Sequence, residues 1–384
     1  MLLIQNGNLH LPGGELLIGQ DILCENGLIA RIAPEITAEA STIIDAKGKD
    51  VFPGLILPVC SIGAYGFAER TKDHQETTEP VTPQLDILAS LDIREVKLQH
   101  FTRSCITSYG LSPGDSTLLA GSMALIHSDG PNAKELVIVD KVALKGNFTQ
   151  EVKGLFGASR RMPYSRMGMF HLMDDAFRAA KAYQAEREKE ESSKAYDAKY
   201  EALLPVLRRE IPLVVNAYIQ REIEAMAELA VKYGIRVVIH GAYQIDRCAE
   251  RVMAAGCQVA LGDLALYHHA VNFETDYSRI VELYRQGLKL SLACNADMPG
   301  LAGYDSVFWS AALLQRHGAT PAEVLDMLTV NTAEALGVSH LVGTITTGRQ
   351  ADLFICQGNP LERFDVAAEY TLIKGEVVYC REVA

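Results

Sequence analysis

IPLVVNAYIQREIEAMAELAVKYGIRVVIHGAY, residues 211–243, is the stretch that decides the fold. The apolar run at 213–215 has the length and β-branched content of a strand buried on both faces. After it, 220–233 carries apolar side chains at 223, 226, 227, 230 and 231, the spacing of one helical face, and Gly234 supplies a stop. A second apolar run at 237–239 follows directly, so this stretch reads strand, helix, strand.

The same texture continues outward in both directions. ITSYGLS, ALIHS, KVALKG, QVALG and LKLSLACNAD are short apolar runs separated by helical patterns. Their repetition predicts an α/β architecture, a (β/α)8 TIM-like barrel over 53–342. The chain outside that span reads differently. Residues 1–52 (LLIQN, ELLIG, DILCENG, LIARIA) and 343–384 (ADLFIC, YTLIKGEVVYC) are short strands with turns, and neither is long enough to bury a good core alone. They are expected to pair into a small composite β-sandwich domain built from both termini, which also covers strand edges. The charged run at 178–210, interrupted by Pro205, reads as one solvated helix.

Composition narrows the function classes. With 48% apolar and 22% charged residues, the 384-residue chain is neither disordered nor a coiled-coil array. A net charge of -12 gives no electrostatic footprint for nucleic acid. The first residues lack a basic leader region and no run approaches 18 apolar residues, so no membrane association and a cytoplasmic location are expected. Eight cysteines without a CxxC pair fit reduced, mostly buried thiols. No GxxxxGK[ST], GxGxxG or GxSxG motif is present, so phosphate-loop, dinucleotide and serine-esterase chemistries lack support.

Several short motifs then fall in one order. They are Ile44-Asp45-Ala46-Lys47-Gly48, Phe52-Pro53-Gly54-Leu55-Ile56, Pro80-Val81-Thr82-Pro83, the stretch 161–168 (RMPYSRMG), 329–337 (TVNTAEALG), Gly343-Thr344-Ile345 and Gly348-Arg349-Gln350-Ala351-Asp352-Leu353. Together they resemble the amidohydrolase superfamily of metal-dependent hydrolases, in its imidazolonepropionase-related branch, from end to end. The resemblance implies a barrel with one or two divalent metals at its C-terminal mouth. Its ligands would be an HxH pair after the first strand, a carboxylate or carboxylated lysine from a middle strand, histidines on the next two strands and an aspartate after the last. Alternate residues of a strand face the same way, so an HxH pair reaches one ion. The ion would acidify water while the aspartate takes the proton.

Most of that ligand pattern is replaced here. Val59 and Ser61 stand at the HxH positions, Gly146 at the middle-strand carboxylate, and Asn216, followed by Ala217 and Tyr218, at the next histidine. His240 and Asp297 are kept. Lys145 is in principle a candidate for the carboxylated lysine, but its offset by one position is expected to turn it to the other strand face. Cys60, between the two HxH positions, is expected to point away from the mouth, and Cys294 to be structural. His268 and His269 read as ordinary loop residues.

Two readings follow. In the favoured one the barrel has lost metal-dependent hydrolysis and binds a small-molecule ligand in its mouth, through Ser61, Asn216, Tyr218 and the loop arginines Arg161 and Arg166, beside Arg160. Association with an active relative, or a homo-oligomer, is the expected partnership. No cofactor is then expected, and His240 and Asp297 are residual metal positions. In the alternative, His240 and Asp297 are catalytic, and the protein hydrolyses non-peptide C–N bonds of cyclic amides with zinc or another divalent metal at an incomplete site. His240, Asp297, Asn216, Tyr218 and Ser61 are expected at the C-terminal ends of the strands.

Overall fold

In a computed structural model of the chain, residues 1–66, 71–98, 100–189, 194–262, 264, 275–294 and 306–381 are described. The first strands are β1 (Leu2–His10), β2 (Leu16–Glu25), β3 (Leu28–Ala33), β4 (Thr42–Asp45) and β5 (Asp50–Pro53). Next come β6 (Leu55–Cys60), β7 (Ile106–Leu111), β8 (Leu119–His127), β9 (Val137–Asn147), β10 (Leu213–Ala217), β11 (Val237–Gly241), β12 (Gln258–Leu261) and β13 (Leu290–Leu292). The chain closes with β14 (Leu353–Cys356), β15 (Ala368–Ile373) and β16 (Glu376–Cys380).

The strands fall into two eight-stranded sheets. One runs β16-β15-β14-β5-β1-β2-β3, with β4 alongside β1, so strands from both ends of the chain share one ladder. The seam is antiparallel, with Leu353 opposite Pro53 and Cys356 opposite Asp50. The other sheet runs β13-β12-β11-β10-β9-β8-β7-β6, and β13 comes back beside β6 in a nearly closed, TIM-barrel-like ring.

That ring departs from eight uniform βα repeats in one place. β8 runs antiparallel to both β7 and β9, while the other neighbours are parallel. The cause is connection length, since a parallel return needs a dozen or more residues and 112–118 and 128–136 are too short to provide it.

Gly54 is the pivot between the sheets. A side-chain carbon there would overlap Thr107, with its Oγ1 at 2.0 Å, so only glycine lets β5 run straight into β6. A buried polar knot stands beside this pivot. The Gly54 and Lys374 amides donate to the Asp352 carbonyl and carboxylate, each at 2.8 Å. His127 at the end of β8 bonds Gln350 at 2.9 Å, and the same Nε2 lies 3.3 Å from the Asp352 carboxylate, outside hydrogen-bond geometry.

The charged run forms two helices, not one. Arg166–Arg187 and Ala198–Leu207 are separate, and Asp197 starts the second by accepting the amides of Lys199 and Tyr200 at 2.9 and 3.2 Å. Tyr183 then bonds Glu201 at 2.6 Å across the pair. In the deciding stretch, the helix Gln220–Tyr233 ends on Gly234 at φ 66°, as the glycine stop predicts. No described helix is long and apolar enough to cross a membrane. None of the eight cysteines is in a disulfide, and all but Cys380 are buried.

Candidate functional site

Strand alternation selects the side chains that reach the barrel mouth. Leu144, Leu213, Val215, Val237 and Ile239 pack in the outer apolar layer, whereas Ala143, Val214, Val238, Ala260 and Val59 form the inner one. The parity of β9, β10 and β11 therefore turns Lys145, Asn216 and His240 inward. Register adds height, because Asn216 pairs with His240 and with Asn147, and Val214 with Lys145.

The expectation for the middle strand is corrected. Lys145 faces the mouth, and Gly146 faces outward, where a side-chain carbon would lie 3.3 Å from Met173 and 3.4 Å from Leu213. Every residue from 142 to 147 is buried, so burial leaves no alternation in the sequence to reveal which parity points in. Cys60 does pack in the outer layer, away from the inward-facing Val59.

The three inward residues form one network. Lys145, fully buried, donates from Nζ to Asn216 Oδ1 at 2.6 Å and meets Asp115 Oδ1 at 3.4 Å. Asn216 Nδ2 donates to Asp115 Oδ1 at 2.8 Å and lies 3.4 Å from the Tyr218 hydroxyl. His240 Nδ1 lies 2.8 Å from the same Asn216 oxygen. That oxygen is an acceptor, so Nδ1 carries the proton and Nε2 keeps its lone pair. Burial, then the positive charge of Lys145, push the His240 pKa down to about 3, against a partial pull upward from Asp115. Burial and the Asp115 charge raise Tyr218 well above the usual phenol range.

Asp115 was not visible from the sequence, because it comes from the β7–β8 hairpin and belongs to no family motif. Asn147 holds that hairpin over the mouth, donating to the carbonyls of Gly114 at 3.0 Å and Thr117 at 2.7 Å. His74 is the other residue missed. It stacks on Tyr65 at 4.6 Å, and its carbonyl accepts the Gly114 amide at 2.9 Å. Burial lowers its pKa to about 4, and its Nδ1 has no hydrogen-bond partner.

The other expected positions are more scattered. Ser61 is buried just past β6. Arg161 lies 5.8 Å over the Phe156 ring, and Arg166 lines a cleft of about 650 Å³ with His171 and Arg221. Neither arginine contacts the Asn216–His240 network. Asp297, His268 and His269 lie outside the described residues.

Among the described residues, no three His, Cys, Asp or Glu side chains are grouped to hold a metal ion. His240 offers one imidazole nitrogen, the Asn216 oxygen is taken up by Lys145 and His240, and Lys145, where the family pattern uses a carboxylate or carboxylated lysine, would repel a cation as an ammonium.

The backbone after His240 is tightly fitted. Gly241 has φ 91°, and a side-chain carbon there would lie 2.4 Å from the Tyr218 ring. Gly241→Ala is therefore expected to cost about 2 kcal/mol and to displace Tyr218. Thermal unfolding checks the first part and tyrosine near-ultraviolet dichroism the second; an unchanged melt would refute the strain argument.

The Amidohydrolase family profile matches residues 274–378. Amidohydrolase tasK of Hapsidospora irregularis is 24% identical over 89% of this chain, which spans 38% of that curated relative's length. A short stretch, 16% of the chain, is 41% identical to 10% of an adenine deaminase of Rubrobacter xylanophilus. Among solved structures, an amidohydrolase from Thermotoga maritima MSB8 superimposes with a TM-score of 0.90 at 25% identity, covering 99% of this chain and 100% of that one. A prolidase complexed with N-methylphosphonate-L-proline shares the fold, with a TM-score of 0.60 at 17% identity over 99% of this chain and 100% of its own.

Proposed function

We propose, for a chain that belongs to the amidohydrolase superfamily, a hydrolase-like barrel that has given up metal-dependent hydrolysis and binds a small polar ligand in its mouth. The observation that carries this reading is the bond from buried Lys145 to Asn216 at 2.6 Å. Lys145 stands where the family pattern uses a carboxylate or carboxylated lysine; held uncarboxylated by Asn216, it puts a protein-borne cation, partly balanced by Asp115, in that place. Asn216, Tyr218 and His240 then offer amide, phenol and imidazole groups to a ligand with a carbonyl or carboxylate. A homo-oligomer, or association with an active relative, and a cytoplasmic setting belong to the same proposal; eight cysteines outside disulfides suit a reducing compartment. So does the division into a composite β-sandwich domain, 1–52 with 343–384, and a barrel domain, 53–342.

One observation favours the second reading, hydrolysis of C–N bonds in cyclic amides by His240 and Asp297. The Nε2 lone pair of His240 is unprotonated at neutral pH and so able to take a ligand or a proton. Assays on hydantoin, dihydrouracil and imidazolone substrates, with and without added zinc, separate the two. No turnover is expected; turnover abolished by Asp297→Asn would restore the hydrolase.

A further inference from the structure

A second cleft, of about 500 Å³, lies beside the N-terminal end of β7, and it carries the chain's only tryptophan. Its walls include Arg103, Cys105, Trp309, Pro360, Phe364 and Val366. Trp309 is 60% exposed and Phe364 67%, and their ring centroids are 5.9 Å apart at 51°. Two neighbouring aromatic rings left this open make an apolar platform with unfilled faces. Among the described residues, the one charged side chain in the cleft's lining is Arg103. Arg363, the neighbour of Phe364, is neutralised by Asp365 at 2.5 Å, whereas Arg103 has no ion pair or side-chain hydrogen bond among the described residues. The volume lies in the range of small-molecule sites, and an apolar wall with one polar anchor is their usual composition.

We propose that this cleft binds a planar aromatic anion, an aryl carboxylate or aryl phosphate, whose ring packs on Trp309 and Phe364 and whose charge pairs with Arg103. The site is separate from the Lys145–Asn216–His240 network, and the proposal does not depend on what the barrel mouth does. Arg103 presents a fork of N–H donors that matches either oxyanion.

Trp309 makes the test direct, because tryptophan emission excited at 295 nm reports this cleft alone. The full-length protein is titrated with benzoate, phenyl phosphate, benzyl alcohol and acetate. Saturable quenching by benzoate or phenyl phosphate is expected, with weaker quenching by benzyl alcohol and none by acetate. The stronger of the two anions identifies the headgroup. Arg103→Ala is expected to weaken the anions about tenfold and to leave benzyl alcohol unchanged. Phe364→Ala is expected to weaken all three aromatic probes. Both side chains are exposed, so the variants should melt with the wild type. Equal quenching by acetate, equal loss of benzyl alcohol in Arg103→Ala, or no quenching by either anion would overturn the proposal. So would a blue shift on raising protein concentration that benzoate fails to reverse, since the platform would then be a contact between copies.

Discussion

At pH 4.5 the chelator-treated protein should be about 5 kcal/mol less stable, relative to pH 7.5, than a His74→Gln/His240→Gln double variant compared over the same interval. Both histidines start from an ordinary value of 6.5 and are depressed in the folded state, to about 4 and about 3. The sign follows from that order. The unfolded chain takes up protons below pH 6.5 while the folded chain refuses them, so stability is full above 6.5 and drains as pH falls toward the folded values. Two units of pH below 6.5 cost nearly 3 kcal/mol per histidine as an upper limit. Carboxylates titrate in the same window. Glu222, Asp246 and Asp326 are raised by burial and oppose the loss, while Asp45 and Glu76 are lowered, chiefly by side-chain hydrogen bonds, and add to it. Comparison with the double variant removes them, because they are common to both chains. Urea unfolding at the two pH values is the measurement. Parallel behaviour of the two proteins would mean that neither imidazole is sheltered as described.

The second large effect belongs to the seam between the sheets. Asp352→Ala should destabilise by about 3 kcal/mol, because it takes the acceptor from the Lys374 amide and leaves a vacancy beside buried His127, which keeps its bond to Gln350. His127 and Asp352 are 1% and 4% exposed at their side chains, so water cannot readily replace the lost partner. Asp352→Asn keeps an acceptor for the Lys374 amide and should lose less than half as much. Equilibrium unfolding in urea gives both numbers. An alanine variant within 1 kcal/mol of wild type would show that the knot is incidental to joining the sheets.

These two predictions draw on residues that the sequence revealed unequally. Asp352 stands inside Gly348-Arg349-Gln350-Ala351-Asp352-Leu353, so its importance was legible from the family motif, although its partner His127 was not. Asn216, Tyr218 and His240 were also legible, since the unit at 211–243 has clean helical periodicity and a glycine stop, and the family pattern marks its ligand positions there. The direction of Lys145 was not. β9 is buried on both faces along its mouth end, and the motif alignment there was one residue off, which exchanges the two faces of a strand. Asp115 and His74 reach the mouth from segments fixed by backbone bonds such as that between Gly114 and His74, a tertiary contact that no local pattern announces. The antiparallel β8 was hidden for a similar reason, because a short apolar run does not reveal its direction.

The correction at Lys145 also changes the design that would rebuild a metal site. Gly146→Glu would point into the outer layer, so Val59→His, Ser61→His and Asn216→His are the informative set, with Lys145 kept.

Metal content of the purified protein tests the central claim most directly. A structural zinc site with four ligands contributes about 10–16 kcal/mol, and keeping two leaves roughly half of that, about millimolar to micromolar affinity. Elemental analysis after purification without added metal should find well under one equivalent of zinc, manganese or iron per chain. One full equivalent, retained through dialysis and lost in His240→Ala, would contradict the account and return the barrel to the metal-dependent hydrolases.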